Sequence, residues 1–427
     1  MYYKKIFSIR FRVLLWLFLA GGSGCAAQAL RQEPDSIFTL PEAKAKLMRS
    51  NLALLAAYYD IDIAKAMVIQ AKVWNNPYFI FNGDMFNAET NSWFGFRKQY
   101  AFQIEQIFSV AGKHTHTVKL ARLGVAMAEK QMADVLRSLL YDMTAKYSLL
   151  ASSQEKESLY RQVLASYSKL LATAKKQLDV GSISGAEAVR LESEYLAVQT
   201  QALQNHNQYE SALADLRTAL RLPEDTVFYV SQYTPIVAAD FTSAELIEQA
   251  LNLRPDLQAQ KLNIEYNKRN LKLQQSVAVP DWKLAAVPID KGSNYTQPYT
   301  GLNFETSLPL FDRNQGRIQA AKAGILQAGA QYEQLENQVR NEVAAAHNRY
   351  KSTIDGLAAY KEDFLRRLEA LHGAAGENYQ NRNINLLQFI DQQRIYVQTI
   401  VQMIDMKQLY IDNVNELNFC VGTNIIE

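Results

Sequence analysis

Few residues in this sequence have the type and spacing that catalysis or metal binding requires. The histidines include the pair His114 and His116, but no cysteine or carboxylate pattern completes a metal site around them. The two cysteines, Cys25 and Cys420, give neither a disulfide framework nor zinc-ligand spacing. We find no glycine-rich phosphate loop, no nucleophile elbow and no plausible catalytic triad. The sequence therefore predicts a protein that is not an enzyme and that has no cofactor-binding or metal-binding residues.

The composition indicates a long, largely helical chain. At 427 residues the chain exceeds one ordinary domain. Its 45 basic and 43 acidic residues nearly cancel, and we see no clustered basic face of the kind that binds nucleic acid. Glycine (18) and proline (10) are scarce, which favours uninterrupted helices. Cys420 lies in an apolar helical stretch and is expected to be a packed thiol.

The N-terminus has the pattern of a secretory signal. Basic residues at positions 4, 5, 10 and 12 precede an apolar run over 13–20, which is too short to span a bilayer. Cleavage after Ala29 of the Ala27-Gln28-Ala29 site would give a signal peptide of residues 1–29. A cut after Gly24, leaving a lipidated Cys25, is the alternative. Either outcome takes the mature chain out of the cytoplasm.

Two regions change from helical to alternating polarity. In the first, about 78–108, Phe102 and Ile104 alternate with Gln103 and Glu105. In the second, about 281–308, Leu302 and Phe304 alternate with Asn303 and Glu305 in the same way. Each region predicts a pair of strands with one apolar and one polar face. Taken alone, the first pair could be a half-buried hairpin of a soluble protein.

Very long helices follow both strand regions. Residues 113–180 keep a coiled-coil seam, which corresponds to a helix of roughly 100 Å. The short break at Gly181–Gly185 then starts a return helix, so the pair is predicted to be an antiparallel hairpin. A second long helix is predicted over about 313–380, with a seam that continues through Leu357, Phe364 and Leu371.

The whole pattern occurs twice. Leu54 and Pro77 are separated by the same number of residues as Leu257 and Pro280, and a shift of 201 places Gly181 on Arg382. We predict a first repeat over 30–221, a linker over 222–242 and a second repeat over 243–427. Each repeat runs from a helix through two strands to a long helix, a turn and a return helix.

Four strands cannot close a barrel, and open strand edges are not tolerated in lipid. Closed membrane barrels need at least about eight strands. Three copies of this chain would supply twelve. Gln103, Glu105, Asn303 and Glu305 would then face the barrel lumen, while the alternating apolar residues would face lipid.

Several motifs mark the joints between these elements. They are Asn76-Pro77, Gly181-Ser182-Ile183-Ser184 with Glu187, Arg254-Pro255-Asp256-Leu257, Pro280-Asp281 and the stretch from Pro309 to Gly316. With these motifs the sequence resembles the TolC-like outer-membrane efflux channels over nearly the whole mature chain. The last stretch is typical of the metal and drug efflux branch that is paired with resistance-nodulation-division pumps.

The resemblance implies a mainly helical homotrimer with a 12-stranded β-barrel in outer-membrane lipid and an α-barrel tunnel in the periplasm. It implies a passive conduit that exports small molecules or metal ions, with a periplasmic adaptor and an inner-membrane pump as partners. The adaptor would dock at the hairpin tips. The tip residues are Gly181, Ser182, Ile183, Arg382, Asn383 and Ile384.

The resemblance also points to residues at the periplasmic aperture. Asp391 matches a position where acidic side chains ring the tunnel, and Gln388 stands one turn earlier. Glu187 and Arg190 occupy the matching place after the first tip, and Arg190 or Arg394 could form a gating contact with an acid. The alternatives are a solvated acid at Asp391, or its pairing with Arg394, and surface ion pairs of little consequence.

A different class of protein remains as an alternative. A periplasmic coiled-coil scaffold or adaptor would also use helical hairpins, and its alternating segments would form a soluble β domain. An adaptor has one hairpin, however, whereas this sequence predicts two hairpins and two strand pairs at matching offsets.

Overall fold

The structure is a computed structural model that describes residues 36–88, 91–94, 99–231, 238–292 and 297–426. The predicted signal segment and Cys25 lie outside the described residues. The described part is mainly helical. Its helices are α1 (Leu40–Ser50), α2 (Leu52–Lys72), α3 (Lys113–Asp179), α4 (Gly185–Leu220), α5 (Ser243–Leu253), α6 (Pro255–Val277), α7 (Gln315–Leu357), α8 (Glu362–Gln380) and α9 (Leu386–Val421). Its strands are β1 (Ser36–Phe38), β2 (Tyr78–Gly83), β3 (Phe86–Asn87), β4 (Ser92–Trp93), β5 (Tyr100–Phe108), β6 (Phe228–Val230), β7 (Trp282–Lys291) and β8 (Tyr299–Thr306).

The two predicted strand pairs join into one antiparallel sheet with the order β2-β5-β7-β8. The central pairing, β5 with β7, connects the two repeats, and it aligns Glu105 with Ala285 and, through β8, with Asn303. Strands β2 and β8 form the edges of this sheet. Within the described residues, each edge strand is therefore paired on one side only.

Helix starts in the two repeats are built in the same way. Thr39 and Thr242 form capping boxes with Glu42 and Glu245 at the starts of α1 and α5. Ser184 and Asn385 do the same at the starts of α4 and α9. A capping box satisfies backbone N–H groups at a helix start, which otherwise lack partners. The same device at matched places in both halves supports the predicted internal repeat.

The second long helix differs from its counterpart. Helix α3 continues without interruption for 67 residues. The predicted helix over about 313–380 is instead divided into α7 and α8 by non-helical residues 358–361. This break changes the phase of the seam, so Leu368 and Ala375 are buried while Phe364 and Leu371 are exposed. As a core seam within one chain, the seam predicted through Phe364 and Leu371 is therefore wrong beyond residue 357.

Apolar side chains form three separate clusters along the helices. One lies towards the hairpin tips and contains Val163, Tyr167, Leu191, Phe389 and Ile390. The other two combine the middle of each hairpin with the short helices α1 or α5. The linker contributes Phe228, which is fully buried against Phe38 and the first hairpin. Across the described ranges, none of the helices combines the length and apolar character needed to cross a bilayer.

Candidate channel wall and hairpin tips

One face of the four-stranded sheet is apolar and open. Phe79, Ile104, Leu302 and Phe304 lie on this face, and Leu302 is 88% exposed. A soluble β domain, which the scaffold alternative requires, would bury such a face, because exposed apolar patches of this kind mark lipid or protein contacts. The alternation predicted from the sequence therefore corresponds to a real separation of the two faces.

The opposite face carries the polar residues predicted to face the lumen. The Asn303 amide donates to Gln103 Oε1 at 3.4 Å across β7, and the Gln103 amide donates to Glu105 Oε2 at 3.3 Å. Lys283 Nζ lies 2.7 Å from Glu305 Oε1 on the same face. The structure thus places the four residues together and adds Lys283, which the sequence analysis did not single out although it alternates with the apolar positions of β7.

Both hairpin tips turn through a left-handed residue. Gly181 has φ +70° and Arg382 has φ +60°. In each tip the next N–H donates back over five residues at 2.8 Å, from Ser182 to Gln177 O and from Asn383 to Asn378 O. This is the Schellman pattern that ends a helix.

The six predicted tip residues divide into two groups. Ile183 and Ile384 are partly buried and pack against the apolar cluster near the tips. The other four are exposed, and they are Gly181, Ser182, Arg382 and Asn383. Since only exposed side chains and backbone can contact a partner directly, these four are the docking candidates, while the two isoleucines hold the turns in place.

Two of the predicted aperture residues have local structural partners. Glu187 Oε2 accepts from the Ser184 N–H at 2.9 Å, and Gln388 Oε1 accepts from the Asn385 N–H at 2.9 Å. Both side chains are the third residue of a capping box. Their matched roles explain why Glu and Gln stand at equivalent positions, because both can accept this hydrogen bond.

An ion pair connects the two hairpins above the tips. Arg394 on α9 lies 2.5 Å from Glu194 on α4, and its other nitrogen lies 4.0 Å from Asp391. Burial, followed by the charge of Glu194 and opposed by Arg394, raises the pKa of nearby Tyr167 to about 12. Sequence reasoning missed Glu194. Its heptad spacing from Glu187 was the signal that could have identified it.

Asp391 and Arg190 remain accessible. Both are exposed, and a shift of 201 relates one to the other, so they occupy equivalent places in the two repeats. Within the described residues Arg190 has no ion-pair partner. The two positions therefore place opposite charges at the same level of the hairpins.

The motif around Arg254 forms a charge network between helices. Arg254 is 3% exposed and donates to Asp256 Oδ2 and Glu342 Oε2, both at 2.6 Å. Burial opposes its charge, but the two carboxylates outweigh burial and raise the pKa of Arg254. Arg137 of α3 donates to the Phe419 carbonyl at 2.7 Å and approaches Asp256 at 3.5 Å. The motif lies at the start of α6, and its contacts join α3, α6, α7 and α9 at that point.

A second motif residue connects the repeats at the sheet. Asp281 Oδ1 accepts from Lys113 Nζ at 2.7 Å and from the Val110 N–H at 3.3 Å. The start of β7 is therefore tied to the start of α3.

Within the described residues, the histidine and cysteine side chains considered for metal binding or thiol chemistry are instead packed against other residues. In the parts of the chain that the structure describes, no group of His, Cys, Asp or Glu could hold a metal ion. His114 stacks on Trp74 at 4.4 Å between ring centroids. Burial, followed by the charges of Glu342 and Glu416, raises the pKa of the Cys420 thiol to about 11, as expected for a packed cysteine.

Solved structures share this architecture. The outer membrane protein VceC of Vibrio cholerae is similar with a TM-score of 0.70 and 16% identity, over 91% of this chain and 97% of that chain. The CmeC outer membrane channel of Campylobacter jejuni gives 0.71 and 14%, over 97% and 96%. The open state of the MtrE outer membrane channel of Neisseria gonorrhoeae gives 0.69 and 14%, over 90% and 89%. These likenesses confirm the predicted fold class, in which long helical hairpins adjoin a membrane β part.

Comparison by sequence leads to a family. No curated protein sequence matches the chain significantly. The profile of the family described as outer membrane efflux protein matches residues 45–220 and 246–423, which include most of both predicted repeats. The chain therefore belongs to the outer membrane efflux protein family.

Proposed function

We propose that this chain assembles as a homotrimer and forms a passive conduit through the outer membrane and across the periplasm. The observation that carries the proposal is the open four-stranded sheet with one exposed aromatic face. Pairing β8 of one chain with β2 of the next would close twelve strands into a barrel and remove every edge. The polar face with Gln103, Glu105, Asn303 and Glu305 would then line the lumen.

The helices supply complementary edges for the same assembly. On α4, Val189, Leu196 and Leu203 are exposed and separated by seven residues each. On α8, Phe364 and Leu371 show the same separation and are also exposed. Apolar residues that repeat every seven positions form coiled-coil contacts. These two stripes are on different hairpins, so α4 of one chain would pack against α8 of its neighbour.

The upper helices support the same arrangement. Helix α2 packs against α3 on one side and leaves apolar side chains exposed along its length. They include Leu52, Tyr59, Ile63 and Met67, and Val73 directly after the helix is exposed as well. A neighbouring α7, which exposes Leu326, would cover this face.

The position of the exposed tip residues leads to the proposed protein partners. With α3 of roughly 100 Å, the hairpins would reach deep into the periplasm, where the exposed residues of both tips would contact a periplasmic adaptor. An inner-membrane pump would supply the energy, since the proposed conduit itself performs no catalysis. Small molecules or metal ions would pass through the tunnel, and Asp391 of three chains would form an acidic ring at its narrow end.

The assembly is tested by the mass of the detergent-solubilised protein, measured by light scattering after size exclusion. We expect three times the chain mass for the unaltered protein. Replacing Leu196 and Leu203 by Asp should shift the protein towards monomer, because each charge would be buried in the proposed contact. Gln201→Asp on another side of α4 serves as the control and should leave the trimer intact. A monomer of native helical content for the unaltered protein would refute the proposal.

A further inference from the structure

The ends of the helices that adjoin the sheet are rich in basic residues, and single acidic residues flank the basic stretches at Asp62, Glu129, Glu265, Asp281, Asp312 and Glu333. Stretches 63–77, 109–128, 266–280 and 313–332, in α2, α3, α6 and α7 with their adjoining loops, contain eleven lysines and arginines and no aspartate or glutamate. We call these cations the basic collar. They are Lys65, Lys72, Lys113, Lys119, Arg122, Lys268, Arg269, Lys272, Arg313, Arg317 and Lys322.

The near-neutral net charge of the whole chain does not show this local concentration of basic residues. Removing the eleven collar residues from the 45 basic residues leaves 34, against 43 acidic residues in the same sequence. The rest of the chain is thus net acidic while the collar is strongly basic. A separation of charge along one axis creates a local potential that the net charge does not show.

Most of the collar side chains are exposed in the single chain. Nine of the eleven side chains are exposed, the exceptions being Lys113 and Arg269. Lys113 is paired with Asp281 at 2.7 Å, and looser pairs join Lys65 to Asp62 at 3.6 Å and Arg269 to Glu265 at 3.9 Å. Within the described ranges the other eight cations form no ion pair.

Cations from the two repeats converge around His116. Burial, followed by the charges of Lys119, Lys272 and Arg269, lowers the pKa of His116. Lys119 lies on α3, whereas Lys272 and Arg269 lie on α6. Like charges gathered from two elements repel one another unless an anion lies between them. An anion near these side chains would offset their mutual repulsion.

The collar begins directly below a band of exposed apolar and aromatic side chains. Trp74 is 59%, Trp282 is 50% and Phe311 is 91% exposed where the helices meet the strands. Aromatic residues gather at membrane interfaces. The collar cations lie within about ten residues of the helix ends, or roughly 15 Å. That depth corresponds to a headgroup layer together with about one Debye length.

We propose that the basic collar binds the phosphate groups of anionic phospholipids in the periplasmic leaflet of the outer membrane. The inference rests on the proposed barrel, which sets the depth of the collar relative to the bilayer. Lipid is favoured over an anionic cargo inside the tunnel, because the polar face of the sheet directly above the collar carries Glu105, which forms no ion pair within the described residues, as well as Glu305, which is paired with Lys283. A permeating anion would meet these carboxylates next.

The test uses tryptophan fluorescence of the full mature trimer in phosphatidylcholine vesicles. A Trp93→Phe background leaves Trp74 and Trp282, beside the collar, as reporters once the predicted signal segment with Trp16 is removed. Dibrominated phosphatidylglycerol and dibrominated phosphatidylcholine are compared as quenchers. The collar variant is Lys119→Gln with Arg122→Gln and Lys272→Gln. The matched control is Lys169→Gln with Lys175→Gln and Lys176→Gln, starting about 75 Å further along α3.

We expect brominated phosphatidylglycerol to compete about threefold better than brominated phosphatidylcholine at low salt. High salt and the collar variant should remove this preference, because screening or neutralisation removes the attraction. The control variant should keep it.

Equal quenching by both lipids in the unaltered protein would overturn the collar inference while leaving the barrel in place. A collar variant that alters anion permeability without altering lipid preference would also overturn it, since the cations would then face the tunnel. Absence of quenching by either lipid would overturn the proposed membrane barrel together with the collar inference.

Discussion

Two buried or half-buried charged residues, Arg254 and Asp412, differ in whether an opposite charge compensates them. Arg254 is surrounded by carboxylates and by the Cys420 carbonyl at 3.3 Å, so its charge is compensated. A side chain at Gly422 would press against Arg254, with its Cβ 3.3 Å from the Arg254 Cα, and Gly422 also has φ +85°. Asp412 on α9 differs, because its nearest donor is the neutral hydroxyl of Ser148, at 2.5 Å from Oδ1.

Asp412→Asn should stabilise the protein at neutral pH. Burial raises the pKa of Asp412, and hydrogen bonds from Ser148 and Gln408 offset this only in part. A raised carboxyl pKa contributes stability that is present at acidic pH and is lost as pH rises through the folded pKa. The variant avoids that loss, so we expect a gain of about 1 kcal/mol at neutral pH. The gain should shrink as the pH falls.

Thermal unfolding of both proteins from neutral to mildly acidic pH measures this difference. Asp405→Asn is the control on the same helix, since Asp405 is paired with Lys156 at 2.5 Å. The control should give no gain. A difference for Asp412→Asn that grows towards acid would show that the sign is wrong.

At the scale of elements, the two tips are built alike from different residues. The left-handed position is glycine in the first tip and arginine in the second. A residue with a Cβ is strained there by roughly 1 kcal/mol or more, whereas glycine is not. The two turns should therefore differ in local stability despite their matched hydrogen bonds.

Arg382→Gly should stabilise the second tip, and Gly181→Ala should destabilise the first, each by about 1 kcal/mol. No heavy atom lies within 4 Å of a Cβ built on Gly181, so the expected loss comes from the backbone alone. Amide hydrogen exchange over 376–386 and 175–185 measures the local opening. Slower exchange in the first tip of Gly181→Ala would contradict the explanation.

The sequence was most informative where polarity follows a simple period. The start and end of α3 and the two faces of the sheet were predictable because helical and alternating patterns differ over many residues. The break between α7 and α8 was not, since Ala358, Ala359, Tyr360 and Lys361 include neither glycine nor proline. Glu194 was missed because its partner, Arg394, is 200 residues away and only the folded chain brings them together.

At the scale of the whole molecule, family membership confirms the predicted location in the outer membrane and the efflux channel class. The internal repeat adds a constraint on the proposed trimer. Because Arg190 and Asp391 are equivalent positions, their charges would alternate around the narrow end, three of each sign. The ion preference of that end would reflect the balance between the acidic ring of Asp391 and the three Arg190 side chains.

Asp391→Asn should shift the conduit towards anions, because the arginines then remain without opposing charge. Arg190→Gln should shift it towards cations and serves as the matched variant of opposite sign. The measurement is the reversal potential of single channels in planar bilayers under a salt gradient. Identical potentials for both variants and the unaltered protein would place these residues away from the permeation path.

The interruption between α7 and α8 makes the two hairpins mechanically unequal. Helix α3 is continuous over 67 residues. Because its backbone hydrogen bonds are not interrupted, the first hairpin should resist bending along its whole length. In the second hairpin the helix is interrupted at residues 358–361. Gly356, just before this interruption, packs closely against α9, since a Cβ added there would lie 2.8 Å from Met406 Cε. A lateral force on the tips would therefore bend the second hairpin at residues 358–361, while the first hairpin would stay straight.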